Sequence, residues 1–488
     1  MRSSRVPQAL TCGLVVLLVA GCTGVPETPE PPTEEEPAAL PTAFEGEPPP
    51  GVEGETLRYL HGEDAGVHEI LDDPMGVRIS PVGGAFLISS GGEDRHLMHD
   101  AASGDLLWEG QARFRGFDVD IEGEPVLALT DADDRPFVLD ARGQTLWEPE
   151  GVDDLYLDGL AVRRPGEWSV EEPHGDYTVL NMDGTELWTY AFEPTRDDEA
   201  EDEADEDGDA DEDGRADEEP ADPLGVPVTA WGETVLLDDG KSALHAYSVS
   251  PDDAGEPLWS VTVDDEDLGM PVTAPVRVPR VLGVYPTQDP RAESTDDEET
   301  REEDTDEDAE QETVRDVLLV RWAQPEAPSV LSAHDTTDGE LLWTLEEPGT
   351  NPVPTPFNEA NASGALYDEE TATLLLPQAS GGATVIAVDL AAGEVRWGLE
   401  EEAGAFSPAF AHAGFVYGDA RSSADGDQQV VLEAESMDVA ADELDAYVEA
   451  VTETGHAILV QDRQRFVYGP GHEVPEEDAE ASPEDDAS

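Results

Sequence analysis

A short turn that ends in glycine and is followed four residues later by tryptophan occurs six times in this chain. The copies place these two residues at Gly104 and Trp108, Gly143 and Trp147, Gly184 and Trp188, Gly255 and Trp259, Gly339 and Trp343, and Gly393 and Trp397. Each turn follows a short apolar run, so each copy predicts a β-hairpin. The shared phase indicates one repeated unit, with each tryptophan ring packed in an equivalent place between neighbouring sheets.

The spacing of the tryptophans gives the length of the unit. Trp108, Trp147 and Trp188 follow one another at intervals of 39 and 41 residues, the length of a four-stranded propeller blade. The next intervals are 71, 84 and 54 residues, and the two longest contain acidic low-complexity tracts at 197–222 and 289–312. We expect both tracts to be disordered insertions, because they carry too little apolar surface to offset the entropy lost on ordering.

With this period, the Asp-x-x-x-Gly-x-x-x-Trp unit resembles the repeat of quinoprotein-type β-propellers. That family includes dehydrogenases that depend on pyrroloquinoline quinone. It also includes non-enzymatic bacterial lipoproteins, such as those of the outer-membrane β-barrel assembly machinery. The resemblance implies an all-β propeller, which we assign to residues 55–470.

Strands without a tryptophan complete the count of blades. Apolar runs at 407–417 and 429–433 predict a seventh blade, and runs at 447–451, 457–460 and 465–468 predict three strands of another. The run at 55–60 predicts the missing fourth strand, which joins the two chain ends and removes exposed sheet edges. The prediction is eight blades, with seven as the alternative.

The N-terminal residues predict export and lipid anchoring. Arg2 and Arg5 precede an apolar stretch at 14–20 that is too short to span a bilayer and is typical of a secretory signal at 1–21. The small residues directly before Cys22 resemble a lipobox, which implies that Cys22 is lipidated. The Pro/Glu-rich segment 22–54 predicts an extended tether, and the acidic residues 471–488 predict a disordered tail. We therefore expect a lipoprotein on the outer face of the cytoplasmic membrane.

The charge of the chain excludes several classes of partner. It contains 116 acidic against 24 basic residues, a net charge of −92, and a single lysine, Lys241. More than half of this net charge lies outside the tether, the two insertions and the tail. A surface this acidic repels nucleic acid and anionic lipid headgroups, so we expect neither as a partner.

No motif predicts a catalytic residue, a metal site or a cofactor. Asp209, Asp211 and Asp213 begin like a calcium loop, but Pro220 stands where such a loop ends in glutamate. No adjacent cysteine pair occurs, and no residue matches the calcium ligands or catalytic aspartate that the quinoprotein resemblance implies for its enzymes. We predict a binding or scaffolding module for envelope proteins. The alternative is a divergent quinone- or sugar-linked oxidoreductase that uses the propeller channel.

Overall fold

The computed structural model describes residues 42–60, 68–71, 73–194, 224–270, 278–288, 314–325, 327–357, 364–400, 406–422 and 426–470. The signal, Cys22, the calcium-like run, the tail and both predicted insertions lie outside these ranges. The first insertion falls in the connection between β13 and β14, and the second between β18 and β19, as bounded below.

The strands β1–β17 are β1 (Glu55–Tyr59), β2 (Val77–Val82), β3 (Ala85–Ser90), β4 (His96–Asp100), β5 (Leu106–Gly110), β6 (Arg113–Val119), β7 (Pro125–Thr130), β8 (Pro136–Leu139), β9 (Thr145–Trp147), β10 (Asp154–Leu157), β11 (Leu160–Arg163), β12 (Gly175–Leu180), β13 (Glu186–Phe192), β14 (Val226–Trp231), β15 (Thr234–Asp238), β16 (Ala243–Ser248) and β17 (Pro257–Thr262).

The remaining strands are β18 (Val278–Gln288), β19 (Val314–Ala323), β20 (Val330–Asp335), β21 (Leu341–Glu346), β22 (Leu366–Asp368), β23 (Thr373–Pro377), β24 (Ala383–Asp389), β25 (Glu394–Glu400), β26 (Phe406–His412), β27 (Phe415–Ser422), β28 (Gly426–Glu433), β29 (Val439–Ala441), β30 (Tyr447–Val451), β31 (Ala457–Gln461) and β32 (Gln464–Gly469). The described residues also form a short helix α1 (His68–Leu71) and a 3-10 turn (Glu266–Leu268).

These strands form eight antiparallel four-stranded sheets, each a blade of a β-propeller. Blades 1 to 7 take four consecutive strands each, from β2–β5 through β26–β29, with the first strand innermost. Blade 8 combines β30, β31 and β32 with β1, which pairs with β32 from Glu55 to Tyr59. The predicted eight blades and the predicted closing strand are therefore confirmed.

The core lies between the blades. One buried cluster joins Tyr177 of blade 3 to Val235 and Tyr247 of blade 4, and another joins Leu319 of blade 5 to Leu374 of blade 6. The sheets have apolar side chains on both faces, because each is covered by a neighbour on either side. This arrangement explains how a chain without disulfides in its described part buries a large core.

The motif tryptophans lie on the outer strands and pack against the next blade. Trp108, Trp188, Trp259 and Trp343 lie on the motif glycines of blades 2, 4, 5 and 6. A Cβ on Gly143 would lie 2.6 Å from the Trp108 side chain, and one on Gly393 would lie 2.5 Å from Trp343. Both glycines also have positive φ, at 75° and 70°. The turn needs glycine both for its backbone conformation and for the room it leaves to the neighbouring ring.

Two copies vary this contact. Trp147 packs against Tyr156 of blade 3 with ring centroids 5.8 Å apart, and Glu150 approaches Gly184 in its place. The Trp397 indole N–H donates to the Ala434 carbonyl of blade 7 at 2.7 Å. These variations leave each ring at an interface between adjacent blades.

Blade 7 contains a copy of the turn that has neither glycine nor tryptophan. Met437 has a φ of 62° and donates its N–H to the Glu433 carbonyl at 3.0 Å, as Gly393 does to Asp389 at 2.8 Å. Ala441 pairs with Val431 in the register that tryptophan has in the other blades. The turn geometry therefore persists where its sequence signature is lost.

Arg58 takes the place of tryptophan in blade 8. It pairs with Val467 immediately after a bulge in β1, the register of the motif tryptophans. Its guanidinium donates to the carbonyls of Asp100, Ala101 and Ala102 in blade 1, at 2.9, 2.7 and 3.0 Å. One side chain thus joins the last blade to the first.

Part of the predicted tether packs on the propeller instead of extending from it. Within 42–54, Phe44 and Val52 are buried with Tyr417, Phe466 and Tyr468 of blades 7 and 8. Burial of these two apolar side chains makes the packed segment more stable than the same segment extended in solvent. The described propeller unit therefore begins before residue 55.

The closure contact gives a stability test. We expect Arg58→Ala to lower the free energy of unfolding by about 2–3 kcal/mol, because it leaves three carbonyls of blade 1 without their charged donor. Arg78→Ala is the control, since this 65% exposed side chain makes a surface ion pair that contributes at most about 1 kcal/mol. Urea denaturation measures both values, and equal losses would contradict the role of Arg58.

Candidate functional site

The first strands of the blades lie side by side around the propeller axis, as seen for β30 with β2, β10 with β14 and β22 with β26. The turns between the first and second strands of each blade therefore surround one end of the central channel. We call the face that carries them the turn face. The opposite face, which carries the connections from one blade to the next, is the connector face.

A cavity of about 620 Å³ opens at the axis on the turn face. Asp368, Glu369 and Glu370 of blade 6, His412 of blade 7 and Glu453 of blade 8 contribute to its wall. No lysine or arginine occurs among its lining residues in the described part of the chain. We call this cavity and the carboxylates around it the acidic mouth.

Carboxylates of three blades face each other at the acidic mouth. Partial burial raises the pKa of Glu453, and the charges of Glu124 in blade 2 and Glu369 in blade 6 raise it further. Burial also lowers the pKa of His412, against the opposing effect of Asp368 and Glu370. The imidazole therefore stays neutral near pH 7, and the mouth keeps an uncompensated negative charge.

Asp368 fixes the shape of the mouth. Its Oδ2 accepts from the Thr371 hydroxyl at 2.6 Å and its Oδ1 from the Gly414 N–H of blade 7 at 2.9 Å. These bonds occupy the carboxylate and tie blade 6 to blade 7. Glu369 and Glu370, which follow directly in the turn, are the groups left to meet a ligand.

A second carboxyl pair lies in blades 2 and 3. The Asp158 side chain accepts from the Thr229 hydroxyl at 2.6 Å and from the Ala230 N–H at 3.1 Å, both in blade 4. Asp118 of blade 2 lies close enough for its charge to act on Asp158. Burial, and then the neighbouring Asp118, raise the pKa of Asp158 to about 8. Three blades thus meet at a pair of neighbouring acids.

The backbone at this pair leaves no room for another side chain. Asp158 has a φ of 43°, and Gly159 after it has a φ of 84°. A Cβ at Gly159 would lie 2.0 Å from the Ile121 nitrogen of blade 2. The tight turn therefore holds Asp158 against its partners.

The raised pKa of Asp158 predicts a pH-dependent stability. Its folded value of about 8 lies above the unfolded value of about 3.9. The stabilisation contributed by the protonated carboxyl is therefore complete below about pH 4 and is lost as the pH rises through about 8. We expect the gain in melting temperature of Asp158→Asn over the wild type to be about 2–6 °C larger at pH 9 than at pH 5, because the amide stays neutral.

Asp176→Asn is the matched control, because this exposed carboxylate of blade 3 reports the relief of general charge repulsion. Thermal unfolding of the three proteins at both pH values, in the same salt, measures the difference. If the melting temperatures of the two variants shift equally, the titration of Asp158 does not govern the effect.

None of the twelve motif residues lines the acidic mouth. The motif glycines and tryptophans lie on the outer strands and their turns, so the repeat builds the scaffold. The turns that form the mouth are outside the repeat motif. Cys22 lies outside the described residues.

The described residues do not fit the calcium-bound quinone that the family resemblance implies for its enzymes. In the described ranges, no three His, Cys, Asp or Glu side chains are placed to bind one metal ion. Asp368 is already occupied by protein donors. Glu369 and Glu370 follow it in the same turn, and Glu453 comes from another blade. The helices of these ranges are too short and too polar to cross a lipid bilayer.

No protein family matches the sequence, and no curated protein matches it. BamB from Moraxella catarrhalis is a similar solved structure, at 13% identity and a TM-score of 0.37, covering 80% of this chain and 96% of that one. AztD from Citrobacter koseri has 13% identity and a TM-score of 0.40, covering 81% and 89%. A quinohemoprotein alcohol dehydrogenase from Pseudomonas putida has 13% identity and a TM-score of 0.37, covering 80% and 69%. These distant likenesses concern the fold alone.

Proposed function

We propose that this protein is a non-catalytic binding module of the cell envelope whose acidic mouth receives a positively charged segment of a partner protein. The observation that carries the proposal is that Glu369 of blade 6 and Glu453 of blade 8 line one cavity, while the charge of Glu124 of blade 2 also acts on Glu453. No basic side chain of the described lining balances them. A lysine or arginine of a partner relieves this repulsion.

The size of the mouth favours side chains over a bare ion. Its volume of about 620 Å³ lies within the range of cavities that hold small organic groups. Asp368 and its hydrogen bonds keep the wall rigid, so a partner meets a preformed cavity and loses less entropy on binding. The rest of the acidic surface steers a basic partner toward the mouth and speeds encounter.

A basic peptide tests this proposal. We expect a fluorescent octa-arginine peptide to bind the wild type, and the triple variant Glu124→Gln, Glu369→Gln, Glu453→Gln to bind it about tenfold more weakly, because three facing charges are lost. Fluorescence anisotropy at fixed ionic strength measures both dissociation constants. The affinity of the wild type should fall with added salt.

The control triple variant removes three exposed carboxylates that lie on strands and do not line the mouth. Its substitutions are Glu109→Gln, Asp176→Asn and Glu346→Gln. Its net charge equals that of the mouth variant, so its affinity should change less than about twofold. Equal weakening in the two variants would mean that the peptide senses only the total charge, and the proposed site would be wrong.

The proposed location rests on Cys22. We expect the wild type to stay in the membrane fraction at high salt and to be released by detergent, because two acyl chains anchor firmly. Cys22→Ser should block lipid transfer and leave an uncleaved or shed protein. Mass spectrometry of the mature N-terminus checks this, and an unmodified Cys22 in the wild type would contradict it.

A further inference from the structure

A cleft of about 710 Å³ separates blades 2 and 3, away from the acidic mouth. It exists because β9 and β10 have only three and four residues. The outer strands of blades 1, 3, 4, 5 and 6 have five to seven. β9 pairs only with Val138 and Leu139 of β8, so Pro136 and Phe137 have no outer-strand partner. The connector-side half of this interface is left open.

Aromatic side chains form the walls of the cleft. Phe117, Phe137, Trp147, Tyr156 and Trp168 all line it. Phe117 is 47% exposed, although it packs edge-on against Phe114 at 5.1 Å between ring centroids. An aromatic ring left this open at the bottom of a cleft provides a surface for a flat apolar group.

Arg115 enters this cleft from a β-bulge. The inner strands of five blades carry one extra residue at corresponding places, namely Arg115, Val228, Leu282, Ala409 and Glu449. Val228 and Leu282 are buried, and Glu449 pairs with Arg465 at 2.5 and 3.0 Å. Arg115 is exposed and, within the described part of the chain, makes neither an ion pair nor a side-chain hydrogen bond. Bulges re-aim side chains, often beside functional sites.

The chain has 116 acidic residues and 24 basic ones, and Arg115 has no acidic partner among the described residues. Its guanidinium keeps its five donors for a planar acceptor such as a carboxylate or sulfonate. Arg164 also lines the cleft and lies over the Trp168 ring at 4.1 Å, and the Trp168 N–H donates to the Tyr177 hydroxyl at 2.6 Å. These contacts hold the far wall in place.

Acidic residues also line the cleft. Asp154 is bound by Arg163 at 2.7 and 3.1 Å. Burial raises the pKa of Asp118. Asp153 and Glu167 belong to blade 3, whereas Arg115 and Phe117 lie on β6 of blade 2, so the proposed anion binds on the β6 side of the cleft.

We propose that this cleft binds a small organic anion with a flat apolar body, which stacks on Phe117 while its acidic group meets the guanidinium of Arg115. The site is independent of the proposed protein-binding function of the acidic mouth. Its geometry matches ligand cavities in general, which are mostly apolar with a few polar groups that fix orientation.

The probe for this site is 8-anilinonaphthalene-1-sulfonate, which combines a flat aromatic body with one negative charge. We expect saturable binding of one probe per folded protein at neutral pH, with a rise in probe fluorescence. Arg115→Gln should weaken binding at least about tenfold, because a charge-assisted hydrogen bond is lost. Phe117→Ala should weaken it as well.

Arg142→Gln is the matched control, because Arg142 is an exposed arginine of the same blade that does not line the cleft. Its affinity for the probe should equal that of the wild type. The uncharged analogue N-phenyl-1-naphthylamine should bind Arg115→Gln and the wild type equally, and Phe117→Ala more weakly. Thermal unfolding verifies that every variant is folded.

Three outcomes would overturn the proposal. The first is absence of saturable binding to the wild type. The second is equal weakening in Arg115→Gln and Arg142→Gln, which would indicate a response to net charge. The third is unchanged affinity in Arg115→Gln. The triple variant of the acidic mouth should lose affinity for the basic peptide but bind the naphthalene probe as the wild type does. This result would distinguish the cleft from the site in the acidic mouth.

Discussion

The contact between the outer strand of one blade and the glycine turn of the next holds the ring of blades together. Four of these contacts combine a tryptophan ring with a glycine backbone that approaches it closely. The ring closes only if the last blade contacts the first, and these two blades are not consecutive in the chain. Here Arg58 makes this contact, with three hydrogen bonds to blade 1 in place of an indole ring.

The repeat predicted six blades from its period, whereas apolar runs without tryptophan predicted the other two blades and the closing strand. The repeat missed Met437 and Ala441, since a turn with a φ of 62° at methionine has no sequence signal. It also missed the role of Arg58, which depends on the first and last strands meeting in space. The position of Phe44 against blades 7 and 8 was hidden by its Pro/Glu-rich surroundings, although an isolated aromatic in such a segment is a usable signal.

The candidate sites could not be predicted from the sequence for a different reason. The acidic mouth contains Glu369 and Glu453, and the charge of Glu124 acts on it; these residues are far apart in the chain and share no motif. Acidic residues are so common here that none stands out, and only the arrangement around the axis brings these together. The pair Asp118 and Asp158 has the same origin, since it requires the turn of blade 3 to lie against the inner strands of blades 2 and 4.

The scarcity of basic residues explains where the arginines are placed. Buried or half-buried arginines join elements that acids alone would drive apart. Arg321 forms a buried double hydrogen bond with Glu347, which also accepts from Gln378 of blade 6. Arg396 of blade 6 pairs with Glu435 of blade 7. In a chain of net charge −92, an arginine left beside open aromatic rings has no such structural role to fulfil. Within the described ranges Arg115 makes no contact of this kind, and in the proposed cleft its partner is the anionic group of a ligand.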